Sequence, residues 1–223
     1  MNNLVNEAEL RKPIICNEAE QWVQMLLHRF HKSEETKQYL FLKRGIIQEL
    51  IDELIPLSKY ASRVYADSEV FLKFYPGTTT SFDADFVDKN DKLIERVEVT
   101  MAIDGQQKRI QAEALVKYGH TRIHETPKYS GKMRNRIIEE PESHITSSSA
   151  IIERQTLLLQ EAYLKKHKNL HKYPETTLLI GVDIPLFMDW EYKKIMDGFR
   201  IMDKTFKSIK CVNVSSNHYW CLK

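Results

Sequence analysis

Cysteine is scarce in this chain: three residues in 223, Cys16, Cys211 and Cys221, none close to another. An odd count without close-set pairs gives no disulfide framework, disfavours a thiolate-held metal and suits a reducing compartment, so a cytoplasmic location is expected. No apolar run approaches the ~20 residues needed to span a bilayer, and no membrane partner is expected. The opening stretch MNNLVNEAELRKPIIC lacks a basic start followed by an apolar block, so no signal peptide is expected. A glycine-rich phosphate loop is also missing; GVDIP and YPGTTT do not have the pattern. Internal repeats, low-complexity tracts and Gly- or Pro-rich linkers are absent too.

What is present is a composition of 42% hydrophobic and 29% charged residues, enough to bury a full core as one domain. The net charge is only +2, but it is unevenly spread: residues 108 to 172 carry thirteen Lys and Arg against seven Asp and Glu, and five of the eight histidines. Such a basic middle fits either a surface that follows phosphates or a set of solvated helix faces.

Periodicity gives the order of elements. Residues 17 to 31 read as a helix, with Asn17 as cap and Trp22, Met25, Leu26 and Phe30 at helical spacing. Ser33 opens a second helical stretch that runs to Tyr60, with Ile47, Leu50, Ile51, Leu54 and Leu57 on one stripe and Pro56 expected to kink or end it. From Ser68 the pattern alternates, and three strands are expected in SEVFLKFYPG, FDADFVD and LIERVEVTMA, forming an antiparallel meander. A helix ending at Gly119 follows, then a long loop over 120–146 containing His120, His124 and His144. A serine-capped helix, the apolar strand TTLLIGVDIP, a helix through DWEYKKIMDGFRIMDKTFKS and final strands IKCVNVSS and HYWCL complete the chain. The order predicts an α/β fold: a mixed central sheet with helices on both faces, preceded by a helical region over residues 1–44, with the α/β domain at 45–223.

The meander carries the chemistry. Side chains alternate along a strand, so Leu93, Glu95, Val97, Val99 and Met101 share one face, and Arg96, Glu98 and Thr100 the other. Asp83 and Asp85 share a face of the preceding strand. Pairing through the turn KNDK would let Asp85 converge with Glu98, and two such carboxylates form a hard-oxygen site for Mg²⁺ or Mn²⁺. Asp83 could replace Asp85, which is preferred from its place against Phe86 and Val87.

Asp85-Phe86-Val87, a turn, then Glu98-Val99-Thr100 on an apolar strand resembles the core of the PD-(D/E)XK nuclease superfamily, the restriction-endonuclease-like fold. The likeness covers roughly residues 45 to 185. It implies a divalent-metal-dependent endonuclease acting on DNA, with Asp85 and Glu98 holding Mg²⁺ or Mn²⁺ and an acid from the preceding helix assisting. Glu53 borders the apolar stripe and is preferred to Glu49 for that part. Two departures stand out. Ala84 replaces the proline of the pattern, and Thr100 stands where the family has a catalytic lysine. The missing cation is expected from Lys108, or from its neighbour Arg109. Enzymes of this kind often cut duplexes as dimers, and the N-terminal helices are the candidate interface. Because Thr100 supplies no charge, a catalytically inactive nucleic-acid-binding or protein-assembly module on the same fold is the alternative.

Other clusters are weaker. Arg109 and the run LKKHKNLHK, with Lys165, Lys166, Lys168 and Lys172, offer contacts to a nucleic-acid backbone. His28 and His31 lie one turn apart without a third ligand, and His120 reads as a loop or core residue. Ser147–Ser149 reads as a helix cap, and Tyr219 and Trp220 as strand residues.

Overall fold

The computed structural model describes residues 4–43, 45–77, 82–121, 126–131, 136–141, 146–168, 175–184, 187–202 and 206–223. His124, His144 and Lys172 lie outside them. The chain starts with a one-turn helix α1 (Glu7–Leu10), a short strand β1 (Ile14–Ile15) and a 3₁₀ turn at Cys16–Glu18. Asn17, expected to cap a helix, lies in that turn, and α2 (Ala19–His28) continues from it without a side-chain cap. The tighter turn already holds the first amides that a cap would otherwise serve. Ser33 does cap α3 (Glu34–Leu42), accepting from the Thr36 amide while Thr36 reaches back to the Ser33 amide.

The helical stretch expected to run from Ser33 to Tyr60 is two helices. Lys43 at φ 46° and Gly45 at φ 60° break it, and the extended ψ of Gly45 suits only glycine. Beyond the break α4 (Ile46–Glu49), a π-helical turn (Leu50–Leu54) and α5 (Ile55–Val64) form one rod. Pro56 does not end it, since α5 runs on to Val64. Proline has no N–H for the carbonyl four residues back, and its ring crowds that carbonyl. Here the ladder has already widened: the Ile55 amide donates to the Leu50 carbonyl, five residues back, and the rod passes through.

Seven strands form the central sheet in the order β1, β2 (Val70–Phe74), β3 (Ala84–Asp88), β4 (Leu93–Met101), β7 (Thr176–Val182), β8 (Ser208–Asn213), β9 (Tyr219–Cys221). Strands β1 to β4 pair antiparallel, β4 with β7 and β7 with β8 parallel, and β8 with β9 antiparallel. The fold is therefore α/β with a mixed sheet flanked by helices. One apolar cluster joins Val97, Val99, Phe86 and Leu179 to Leu26, Leu50, Leu54 and Leu57 of the N-terminal helices. Residues before 44, including Leu10 and Val23, belong to that same cluster. The other face of the sheet, with Leu178, Ile180 and Ile209, packs on Leu159, Tyr163 and Ile195 from α7 (Ser148–His167) and α8 (Asp189–Gly198). Each fully buried aliphatic side chain contributes about 1.5–3 kcal/mol of transfer free energy, which makes these two layers the main source of stability.

Two glycines set close approaches. A Cβ on Gly181 would fall 2.3 Å from Met101 Sδ and 3.1 Å from Pro56 Cγ, so its absence lets the rod lie tight on β7. A Cβ on Gly198 would meet Thr156 Cγ2 at 2.6 Å, where α8 meets α7. The helix expected to run to residue 208 stops at Gly198. Between α6 (Gly105–Tyr118) and α7 the expected loop contains a small hairpin, β5 (Tyr129–Ser130) with β6 (Ile137–Ile138), too short to leave a periodic trace. No helix among the described residues is long and apolar enough to cross a membrane.

Candidate functional site

The register of β3 on β4 decides which acids meet. Val87 pairs with Leu93 but Phe86 pairs with Glu95, so β4 holds one extra residue at the start of the pairing. Such a bulge exchanges the faces that follow it. From there Asp85 lies opposite Arg96 and Ala84 opposite Val97, which brings Asp83, one step on, level with Glu98. All four charged residues share one side of the sheet. Without the extra residue, the aspartates would face Glu95 and the core instead.

Asp85 is taken up locally. Arg96 Nε donates to its Oδ1 at 2.9 Å, and the Tyr75 hydroxyl to its Oδ2 at 3.2 Å. Burial and the Asp85 charge push the Tyr75 phenol up to about 12. Asp83 is placed differently. Its Oδ2 accepts the Val99 amide at 2.7 Å, extending the ladder by a side chain. Burial raises its carboxyl above the ordinary range, and that amide and Lys166 oppose the rise only in part.

Glu53 reaches the same group from the π turn. Its carboxyl is pushed up to about 8, first by burial and then by the charges of Asp83, Glu49 and Glu98. A π turn shifts the ladder by one residue and so re-aims the side chains it carries. Glu49, one turn earlier, is held by the Gly77 amide at 2.7 Å. Glu98 is 5% exposed, and its Oε1 is bonded to Lys166 Nζ. Lys166, expected only to touch a nucleic-acid backbone, thus reaches the acid cluster from the C-terminal turn of α7, where the helix dipole also favours positive charge. Thr100 is buried at 9% exposure and brings no charge.

Lys108 does not join this group. Its Nζ is 2.6 Å from Asp183 Oδ2. Burial would raise the Asp183 carboxyl, but Lys108, Ser215 and Lys43 outweigh it and hold it below the usual range. Arg109 bonds Glu113 at 3.2 Å, and Arg136 holds the same carboxylate at 2.6 Å. Lys165 and Lys168 are exposed on α7 and its end. His28 and His31 lie with ring centroids 6.5 Å apart; His120 contacts the Tyr118 carbonyl at 3.2 Å. Ser147 caps α7 as expected, accepting from the Ala150 amide.

The donor set is all carboxylate oxygen, the kind that suits Mg²⁺ or Mn²⁺ rather than softer ions. Burial first, and then repulsion from Asp83, Glu49 and Glu98, raises the Glu53 carboxyl, and a divalent cation would relieve the repulsion. Among the described residues, however, no three acidic, histidine or cysteine side chains are gathered into a ready-made metal shell. Sequence reasoning ranked Asp83 second and missed the part of Lys166. The bulge that sets the register has no sequence signal, and the lysine lies sixty-eight positions from Glu98. Compared with family models, curated proteins and solved structures, the chain matches none.

Proposed function

We propose that the chain is a divalent-metal-dependent nuclease that hydrolyses DNA phosphodiester bonds on a restriction-endonuclease-like core. The observation that carries this reading is the register that sets Asp83 level with Glu98, with Lys166 bonded to Glu98 and Glu53 electrostatically coupled to both acids. Asp83 and Glu98 would hold Mg²⁺ or Mn²⁺, with Glu53 assisting. When bound, the ion would polarise a phosphate oxygen and lower the pKa of a water. The protein's part is placement. The Val99 amide fixes the Asp83 carboxylate, and the buried setting of Glu98 excludes competing water. Lys166 brings the positive charge that Thr100 does not. Its Nζ can move from Glu98 to an entering phosphate, whose negative charge it would stabilise. Asp85 supports the strand pair through Arg96 and Tyr75.

Incubation of the purified chain with plasmid, linear and single-stranded DNA in Mg²⁺ and Mn²⁺ tests the reading. Cleavage that requires the metal and is lost in Glu98→Ala supports it; no cutting of any substrate rejects it. Sedimentation with and without duplex shows whether two copies act together as a homodimer.

A second reading is a catalytically inactive nucleic-acid-binding or assembly module. It draws on Lys166 already neutralising Glu98, and on the lack of a three-donor shell among the described residues. Calorimetry with Mn²⁺ separates the two: the nuclease binds the ion, and the module does not.

A further inference from the structure

At the end of the sheet where β4 and β7 finish, α6 and α7 flank an open cavity of about 640 Å³. Its wall includes Ile103, Gln107, Lys108, Arg154, Gln155 and Leu158. Two ion pairs stand in its wall, Lys108 with Asp183 at 2.6 Å and Arg154 with Asp104 at 2.8 Å, and the exposed Glu153 adds a further acid at its edge. The two amides each keep one unmatched atom. Gln107 is 7% exposed, and its Nε2, shielded from solvent, has no hydrogen-bond partner among the described residues. The Oε1 of Gln155, likewise shielded, on the α7 side of the same wall, has none among them either, and a side-chain rotation would turn each amide toward the cavity. Burying an amide group without a partner costs on the order of 1–3 kcal/mol. An amide carries one donor end and one acceptor end, so rotating either side chain changes the partner it seeks without removing the need.

We propose that this cavity binds a nucleobase, with Gln107 donating to an acceptor on the base edge and Gln155 accepting from a neighbouring donor. Base edges present acceptor and donor side by side, and glutamine is well suited to reading them. Ile103 and Leu158 supply apolar surface for the ring faces. The volume lies within the range of small-molecule pockets and holds a base with its sugar.

Two elements run between this cavity and the acid cluster and serve as rulers. From Glu98 to Ile103 along the strand direction is five residues, on the order of 16 Å. From Lys166 back to Gln155 along α7 is eleven residues, again on the order of 16 Å. A base held here would therefore sit several nucleotides along a strand from a phosphate at Lys166, a placement that rests on the nuclease reading. The base pocket itself does not rest on it.

Binding is measured in EDTA, without divalent cations, so that a failure of cleavage leaves the result intact. The probes are the four nucleoside monophosphates, ribose 5-phosphate as the base-free control, and a single-stranded 12-mer with and without a central abasic site. Base-bearing probes should bind where ribose 5-phosphate does not, and Gln107→Leu and Gln155→Leu should each weaken binding at least about tenfold. Leucine keeps most of the volume and removes the orphaned group, so melting temperature should hold or rise. If Gln107→Leu fails to fold, Gln155→Leu, at a half-buried position, still reads the pocket. A 12-mer that binds more tightly than any monomer and weakens on loss of its base identifies a polymer base as the ligand. Equal binding of monomer and 12-mer identifies a free nucleotide. Equal binding with and without a base, or variants that bind like the wild type, overturns the proposal.

Discussion

Two charged groups lie on this sheet, and they are built on opposite plans. Beyond the strand ends, acids stand beside cations: Asp183 beside Lys108, Asp104 beside Arg154, Asp52 beside Lys43. In the acid cluster Glu53, Asp83 and Glu98 interact, with Glu49 nearby, and Lys166 is the cation that couples to them. The carboxyls record the difference. Asp183 is held below its ordinary range, whereas Asp83 is raised and Glu53 is pushed up to about 8. Matched pairs lower the energy of the folded chain or leave it unchanged, while a surplus of buried acid raises it. In the nuclease proposed above, this surplus would be offset by the metal.

The sharpest way to break the comparison is through cleavage. Asp83→Asn and Glu98→Gln should each lower metal-dependent cutting by at least about a hundredfold, read by plasmid nicking. Wild-type rates in both would remove the cluster's special standing.

Next in size is the pH dependence of stability. The Glu53 carboxyl has a folded-state value of about 8, against an ordinary value of 4.5. Between these values the folded chain holds a proton that the unfolded chain has released, so stability falls as pH rises through that window. Glu53→Gln should therefore flatten the profile and leave the metal-free protein about 2 kcal/mol more stable at pH 9, measured by urea unfolding. A parallel shift at every pH would show that the acid is not strained.

Breaking a matched pair should act the other way. Asp183→Asn should cost about 1–2 kcal/mol at neutral pH, since the partly exposed lysine and Ser215 lose their anion. Because the Asp183 carboxyl is lowered, that contribution is present above its unfolded value and fades as pH falls through the folded one. The smallest effect is expected at Asp85: Asp85→Asn should leave cutting within about threefold, because its carboxylate serves Arg96 and Tyr75.

Much of the fold could be read from the residues. The three meander strands, α6 with its Gly119 stop, the serine-capped α7 and the apolar β7 all follow from periodicity and caps. What escaped was short or non-local. β1 has two residues, and the small hairpin has two-residue strands. The break at Lys43 and Gly45 depends on backbone angles that the apolar stripe does not encode. At the candidate site, Glu98 and Glu53 were legible as acids on a meander strand and on the helix before it. That Asp83 rather than Asp85 comes level with Glu98 was not, because a single extra residue in β4 sets the register. Lys166 was visible only as one member of a basic run.

The wide turn at Leu50–Leu54 has a consequence for chain length. Excising one residue there would let the five-residue bond from Ile55 to Leu50 close to the ordinary four-residue spacing, so α4 and α5 would keep their phase on either side. Ile47 would stay in the core and Glu49 near the Gly77 amide, while the acids carried by the turn, Asp52 and Glu53, would be re-aimed. A one-residue deletion should therefore be borne better at this spot than in the regular turns beside it, where it swings everything beyond by about 100°: what the extra residue sets is the direction of the acids it carries.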